Sequence, residues 1–251
     1  MIIIMIDTHC HVFKEYYNNI DEVINRMENN IIIISGTNDQ DNKEVIKLCN
    51  KYPNVYGTIG IHPTEIDSND LDFIEKNLNN KKIVGIGEIG LDYYWNKDNK
   101  QKQKEMFIKQ LDLALKYNKP VVIHSRDATF DTYEILKNYL NLKKDIHCYS
   151  GSLEMAKNFI KINCRLGIGG VLTFKNSKLK DVIKEIDLKY LMLETDSPFL
   201  TPEPYRGKQN EPYNIIYVAK ALSEIKGISL SDVLEQTTLN AIDQFNLKID
   251  L

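Results

Sequence analysis

Short apolar, β-branched runs recur along the chain at IIIMI (2–6), IIIIS (31–35), VYGTIG (55–60), IVGIG (83–87), PVVIH (120–124), DIHCY (145–149), RLGIG (165–169) and LMLET (191–195). Each is followed by polar or glycine-containing turn residues and then by a stretch with helical spacing. The predicted helices cover 18–29, 41–51, 69–79, 100–117, 130–141, 152–162 and 176–186, with two more at 213–226 and 230–244. In 100–117, Phe107, Leu111, Ala114 and Leu115 form one apolar stripe. Asp131, Ser152, Ser229 and Ser231 stand where helix N-caps belong. Pro120 opens its strand, where a missing N–H is tolerated.

Eight strands alternating with helices predict parallel βαβ units, and their mostly apolar runs predict burial on both faces. A doubly wound open sheet usually carries a glycine-rich phosphate loop after its first strand. Here the first run passes straight into IDTHCH, without glycine. Eight units in 251 residues match the usual size of the competing architecture. The fold reading is therefore α/β, a (β/α)8 TIM barrel forming a single domain over 1–251. No linker, low-complexity tract or charge block divides the chain.

Composition trims the possibilities. With 43% hydrophobic and 27% charged residues, wholesale disorder is excluded. No apolar run approaches the length that spans a bilayer, so no membrane partner is expected. MIIIMID lacks a basic flank and reads as a strand rather than a signal peptide. Cys10, Cys49, Cys148 and Cys164 are scattered, with no CxxC, and read as reduced thiols. A cytoplasmic setting is expected; nuclear residence stays open, with no basic targeting cluster to argue for it. A net charge of −3 argues against a protein that coats long duplex DNA, but leaves room for a local basic patch or a metal site that holds phosphates.

The titratable residues then fall into a pattern. His9 and His11 sit at the end of the first strand, His62 follows the third, His124 ends the fifth, and His147 lies in or just past the sixth. Glu88 ends the fourth strand and Asp196 the eighth. All lie on the C-terminal side of a strand, the face on which barrel active sites are built. His9 and His11 are two apart, so on a strand they point the same way and can face one ion. Glu88 and Asp196 add oxygen ligands and negative charge, while His124 and His147 can hold a second ion. Mixed imidazole and carboxylate ligation suits zinc, manganese or iron; magnesium prefers oxygen. A single histidine at a strand end is more often a satisfied polar residue than a ligand, so the metal reading rests on the joint pattern. Asp7 reads as a structural acid near His9 and His11, and Cys10 as buried filler facing away from them.

Eight motifs extend this pattern: IDTHCH at 6–11, GIHP at 60–63, GEIGLDYY at 87–94, VVIHSRDA at 121–128, HCYSG at 147–151, LETDSPFL at 193–200, RGKQNEP at 206–212 and TTLNA at 237–241. In this order the chain resembles the TatD family of metal-dependent deoxyribonucleases, within the wider amidohydrolase-like superfamily. The resemblance implies a (β/α)8 barrel, two divalent cations (Mg, Mn or Zn) and hydrolysis of DNA phosphodiesters, often as a 3′→5′ exonuclease on single-stranded or 3′ ends. It implies that His9, His11 and Asp196 ligate one ion, that Glu88 bridges both, and that His124 and His147 complete the second site. Glu88 then stands where some superfamily relatives use a modified lysine. His62 would touch the substrate phosphate or a metal water. Two such ions, about 3.5–4 Å apart, can clamp the attacking and leaving oxygens of an in-line displacement. Asp196 is the candidate general base, making Asp196 and Glu88 the catalytic pair.

Arg126 and Arg206 are the candidate phosphate forks, although Arg126 fits a buried ion pair with Asp127 or Glu88 equally well. Tyr93, Tyr94 and Trp95 follow the fourth strand, where an aromatic face can stack a terminal base or simply pack; Tyr94 is taken as a substrate contact. Lys97, Lys100, Lys102 and Lys104 read as a basic rim or as a solvated helix start. Tyr149 and the Tyr205–Arg206 pair are less typical of the family and bear on substrate contacts. Two other functions stay open. One is a D-aminoacyl-tRNA deacylase or other ester or amide hydrolase on the same barrel, because fold and metals do not fix the substrate. The other is a non-catalytic nucleic-acid-binding protein, which a missing ligand would favour; no ligand is missing. The oligomeric state is undetermined and compatible with a monomer.

Overall fold

The computed structural model describes residues 4–67, 71–95 and 97–249. Its strands are β1 (Ile6–Cys10), β2 (Ile31–Ser35), β3 (Val55–Ile59), β4 (Ile83–Asp92), β5 (Val121–Arg126), β6 (Lys144–Ile146), β7 (Cys164–Ile168) and β8 (Leu191–Leu193). Between and after them run α1 (Ile20–Asn25), α2 (Asp39–Lys51), α3 (Leu71–Asn77), α4 (Lys100–Tyr117), α5 (Thr129–Leu136), α6 (Leu153–Lys161), α7 (Leu179–Glu185), α8 (Ile215–Lys226) and α9 (Leu230–Phe245). The strands pair in chain order, all in parallel. The segment leaving β8 meets β1: His11 N–H donates to the Ser197 carbonyl at 2.7 Å and Asp196 N–H to the His9 carbonyl at 3.0 Å. The expected (β/α)8 barrel is the architecture found.

Alternation along the strands divides the core in two. Ile32, Ile34, Ile59, Ile86 and Leu166 belong to the shell shared with the helices, where Val45, Phe107, Phe159 and Val218 meet them. Ile6, Ile31, Ile33, Val84, Val122 and Met192 form the floor of the barrel and are capped by Ala241 and Phe245 of α9 and by Leu247. The opposite end of the interior is polar: Asp7, Thr58, Glu88, Asp92, Asp145 and Glu194 are all buried. Among the described residues no helix is long and apolar enough to cross a membrane.

Several local expectations change. The first strand is not 2–6 but Ile6–Cys10, and residues 2 and 3 lie outside the described set. Its polar residues belong inside because each has a partner: Asp7 accepts from Thr195 N–H and Oγ–H at 2.9 and 2.5 Å. β4 runs five residues beyond the expected 83–87 for the same reason. β6 and β8 are shorter than 145–149 and 191–195, ending at Ile146 and Leu193. The helix expected over 69–79 is Leu71–Asn77, with 68–70 outside the described residues.

Asp131 is not an N-cap. It lies in the first turn of α5, held by Lys104 at 2.7 Å and by the Tyr93 hydroxyl at 2.7 Å. Ser152 and Ser229 do cap, accepting from the N–H groups of Met155 and Asp232, whereas Ser231 sits inside α9. In α4, Phe107, Leu111 and Ala114 are buried but Leu115 is exposed. At about 100° per residue it lies roughly 80° round the helix from Phe107.

Candidate metal centre and active site

Glu88 stands on β4 at the centre of the barrel mouth, and its two oxygens face different partners. On one side, Oε2 lies 3.4 Å from both His9 Nε2 and His11 Nε2. These two nitrogens are 3.0 Å apart, and Asp196 Oδ1 is 3.6 Å from each. On the other side, Oε1 lies 2.8 Å from His124 Nδ1, 2.9 Å from His147 Nε2 and 3.5 Å from His62 Nε2. Three sets of donors each converge within 4.8 Å: His9 with Glu88 and His147, His9 with His11 and Asp196, and His62 with Glu88 and His124. A cavity of about 720 Å³ opens over them, with Trp95 and Arg126 on one wall and Tyr16 and Phe199 on another.

Local geometry sets this cluster. Gly90 follows Glu88 on β4 with φ 143°, and a Cβ there would lie 2.0 Å from the His124 carbonyl oxygen. Only glycine lets β4 run this close to β5. Gly167 on β7 makes room for the buried Glu194, whose Oε2 would lie 2.1 Å from an added Cβ. Asp196 has φ 52°, which turns the chain just beyond β8.

In His11 and His124 the far nitrogen fixes what the near one offers. His11 Nδ1–H donates to the Ser35 carbonyl at 3.0 Å, and His124 Nε2–H donates to Asp92 Oδ2 at 3.0 Å. In a neutral imidazole the facing nitrogens, His11 Nε2 and His124 Nδ1, then carry lone pairs. His62 Nδ1 is held by Thr64, 2.7 Å from its Oγ1 and 3.3 Å from its backbone nitrogen, with Nε2 turned toward Glu88.

Among known proteins, a family model described as "TatD related DNase" matches residues 6–246. The chain belongs to the TatD family. It is 39% identical to the uncharacterized metal-dependent hydrolase YabD of Bacillus subtilis (strain 168), with 97% of this chain and 99% of the relative aligned. The solved TatD homolog YJJV of Escherichia coli K12 superposes with a TM-score of 0.92 at 29% identity, covering 99% of this chain and 100% of its own. A TatD family hydrolase from Entamoeba histolytica gives 0.84 at 28% identity, covering 96% and 97%. With its donor clusters, this TatD-family barrel is a metal-dependent hydrolase.

The donor set of this TatD member fits two divalent cations, one toward each oxygen of Glu88. Burial opposes charge on Glu88, yet His147, His62, His11 and His124 hold its carboxyl well below the usual range. Burial, reinforced by neighbouring imidazoles, pushes His9 and His62 down to about 3, so both stay neutral. Burial likewise opposes a charged His147, but Glu88 and Glu194 raise it well above the ordinary value. A buried group of carboxylates that favours positive charge this strongly suits cations.

The remaining expected residues divide. His62 lines the cavity, as does Arg126, which is exposed. The Arg126 guanidinium lies over the Tyr94 ring at 3.9 Å and is 5.4 Å from Trp95, not in a buried pair with Asp127 or Glu88. Tyr94 does not line the cavity, and its ring supports Arg126. Arg206 stacks on Phe174 at 3.9 Å and donates to the Thr201 carbonyl, away from the cavity. Tyr149 is buried with its hydroxyl on the Ser152 carbonyl, so it is a packing residue. Lys100, Lys102 and Lys104 engage Tyr93, Asp67 and Asp131 respectively. Asp7 and Cys10 are fully buried, as expected.

Sequence reasoning missed Asp92, Glu194 and Ser35, each of which touches a histidine of the cluster. Asp92 did leave a signal: it lies four residues after Glu88 on one strand and therefore on the same face.

Proposed function

We propose that this hydrolase is a deoxyribonuclease acting on DNA phosphodiester bonds, as a 3′→5′ exonuclease on single-stranded or 3′ ends. The observation that carries the reading is the set of five side chains grouped on the two oxygens of Glu88, beneath an open cavity with an arginine and aromatic rings on its walls. The family's description as DNase-related supports the substrate class. In this reading His9, His11 and Asp196 hold one cation, His124 and His147 hold the other, and Glu88 lies between them. Bound divalent cations supply charge for the phosphoryl oxygens and make water a nucleophile near neutral pH.

The chain's own residues do the rest. Asp196, at the cavity edge, takes the proton of the attacking water. His62 Nε2–H donates to the phosphoryl or leaving oxygen. The Arg126 fork pairs with a neighbouring phosphate, pre-set by its stack on Tyr94. Trp95 on one wall and Phe199 on the other offer ring faces to bases. Phe199 itself packs 6.3 Å from His11 and 5.6 Å from Tyr16, ring centre to ring centre.

Release of label from a 3′-labelled single-stranded oligonucleotide tests the proposal. Chelator-stripped protein is expected to be inactive and to recover when Mg, Mn or Zn is restored. Glu88→Ala and Asp196→Ala are expected to lose roughly 10³-fold or more. Full turnover in either variant, or with chelator present, contradicts the reading.

A further inference from the structure

Asp92 ends β4 with a side chain 1% exposed. Its Oδ2 accepts from His124 Nε2–H at 3.0 Å, while its Oδ1 accepts from the N–H groups of Tyr94 and Trp95 at 2.9 and 3.0 Å. The peptide of Asp92 is itself pinned to α4. Gln103 Oε1 accepts its N–H at 2.8 Å, and Gln103 Nε2–H donates to its carbonyl at 2.9 Å. The carboxylate is therefore a short lever on a fixed pivot, with a ring of the cluster on one oxygen and the first turn of the rim loop on the other. Beyond it, Tyr93 N–H donates to the Arg126 carbonyl at 2.9 Å, and the Arg126 guanidinium covers Tyr94.

We propose that Asp92 is a positioning residue that couples cation binding at His124 to the setting of the rim loop carrying Tyr94 and Trp95. The coupling rests on the reading of His124 Nδ1 as a cation ligand. A cation on Nδ1 draws electron density through the ring and makes Nε2–H a stronger donor, which tightens its bond to Oδ2. The same rigid group carries both loop amides, so the loop and the Arg126 stack move with it. The site thus presents its base-stacking wall in register once the second cation is in place.

Trp95 is the chain's one tryptophan and is 68% exposed, so its emission reports on this loop alone. Zinc, which is redox-silent, is titrated into chelator-stripped protein while bound zinc is counted by calorimetry. The wild type is expected to bind two zinc ions and to shift its Trp95 emission as the second binds. In Asp92→Asn the emission change is expected to fall about fivefold or more, with the weaker zinc site loosened roughly tenfold or more. Because Asp92 is buried, His124→Ala is measured in parallel, with folding of both checked by circular dichroism. It reaches the same carboxylate from the other end and is also expected to abolish the emission change. Two zinc ions bound with unmoved Trp95 emission, or a wild-type emission response in a folded variant, overturns the coupling alone. A wild type that binds no zinc overturns both the coupling and the metal reading beneath it.

Discussion

Thr64 holds His62 Nδ1 and leaves Nε2 turned toward Glu88, 3.5 Å away. By distance His62 groups with Glu88 and His124 as a possible cation ligand; in the proposed reaction it is a donor to the substrate. The two roles separate on substitution. His62→Ala is expected to lower kcat by about 10²- to 10³-fold while both bound cations are retained. Metal analysis alongside the kinetics checks this, and the loss of one cation per chain would make His62 a ligand. The histidines were legible in the sequence because each breaks an apolar run at the same end of a strand. Asp92 and Glu194 were not, because they act by holding another side chain, and nothing in residue type marks which acid has a histidine beside it.

Among the elements, β1 and β4 depart furthest from the hydrophobic pattern. Both continue past their apolar runs into polar residues, because a barrel mouth supplies partners for polar groups that an ordinary core leaves unsatisfied. Asp7 with Thr195, and Asp92 with His124, are such pairs. Strand identity was thus readable from β-branched runs, but strand ends were set by contacts far away in sequence. Gly90 of β4 shows how tightly the element is specified. Gly90→Ala must place a Cβ against the His124 backbone at a positive φ. It is expected to cost about 3 kcal/mol, or roughly 10 °C of Tm. A thermal melt of the variant measures this, and an unchanged Tm would show that β4 and β5 can part without penalty.

At the scale of the whole molecule, chain order becomes spatial order. Strands β1 to β8 pair in sequence, and the residues beyond β8 return to β1, bringing Asp196 from 187 residues away to within 3.6 Å of His9. That closure turns a histidine pair, a mid-strand glutamate and a late aspartate into one cluster. The eight-fold strand–helix rhythm made the barrel readable, and the shared strand ends made the cluster readable. The cavity walls were not, since Tyr94, Arg126 and Arg206 take positions fixed by loop packing. The most direct measurement is anomalous diffraction from crystals soaked in manganese. Two peaks are expected per chain, one among His9, His11 and Asp196 and one among His124 and His147, with Glu88 between them. A single peak, or peaks remote from Glu88, would contradict the two-cation centre on which the proposed chemistry depends.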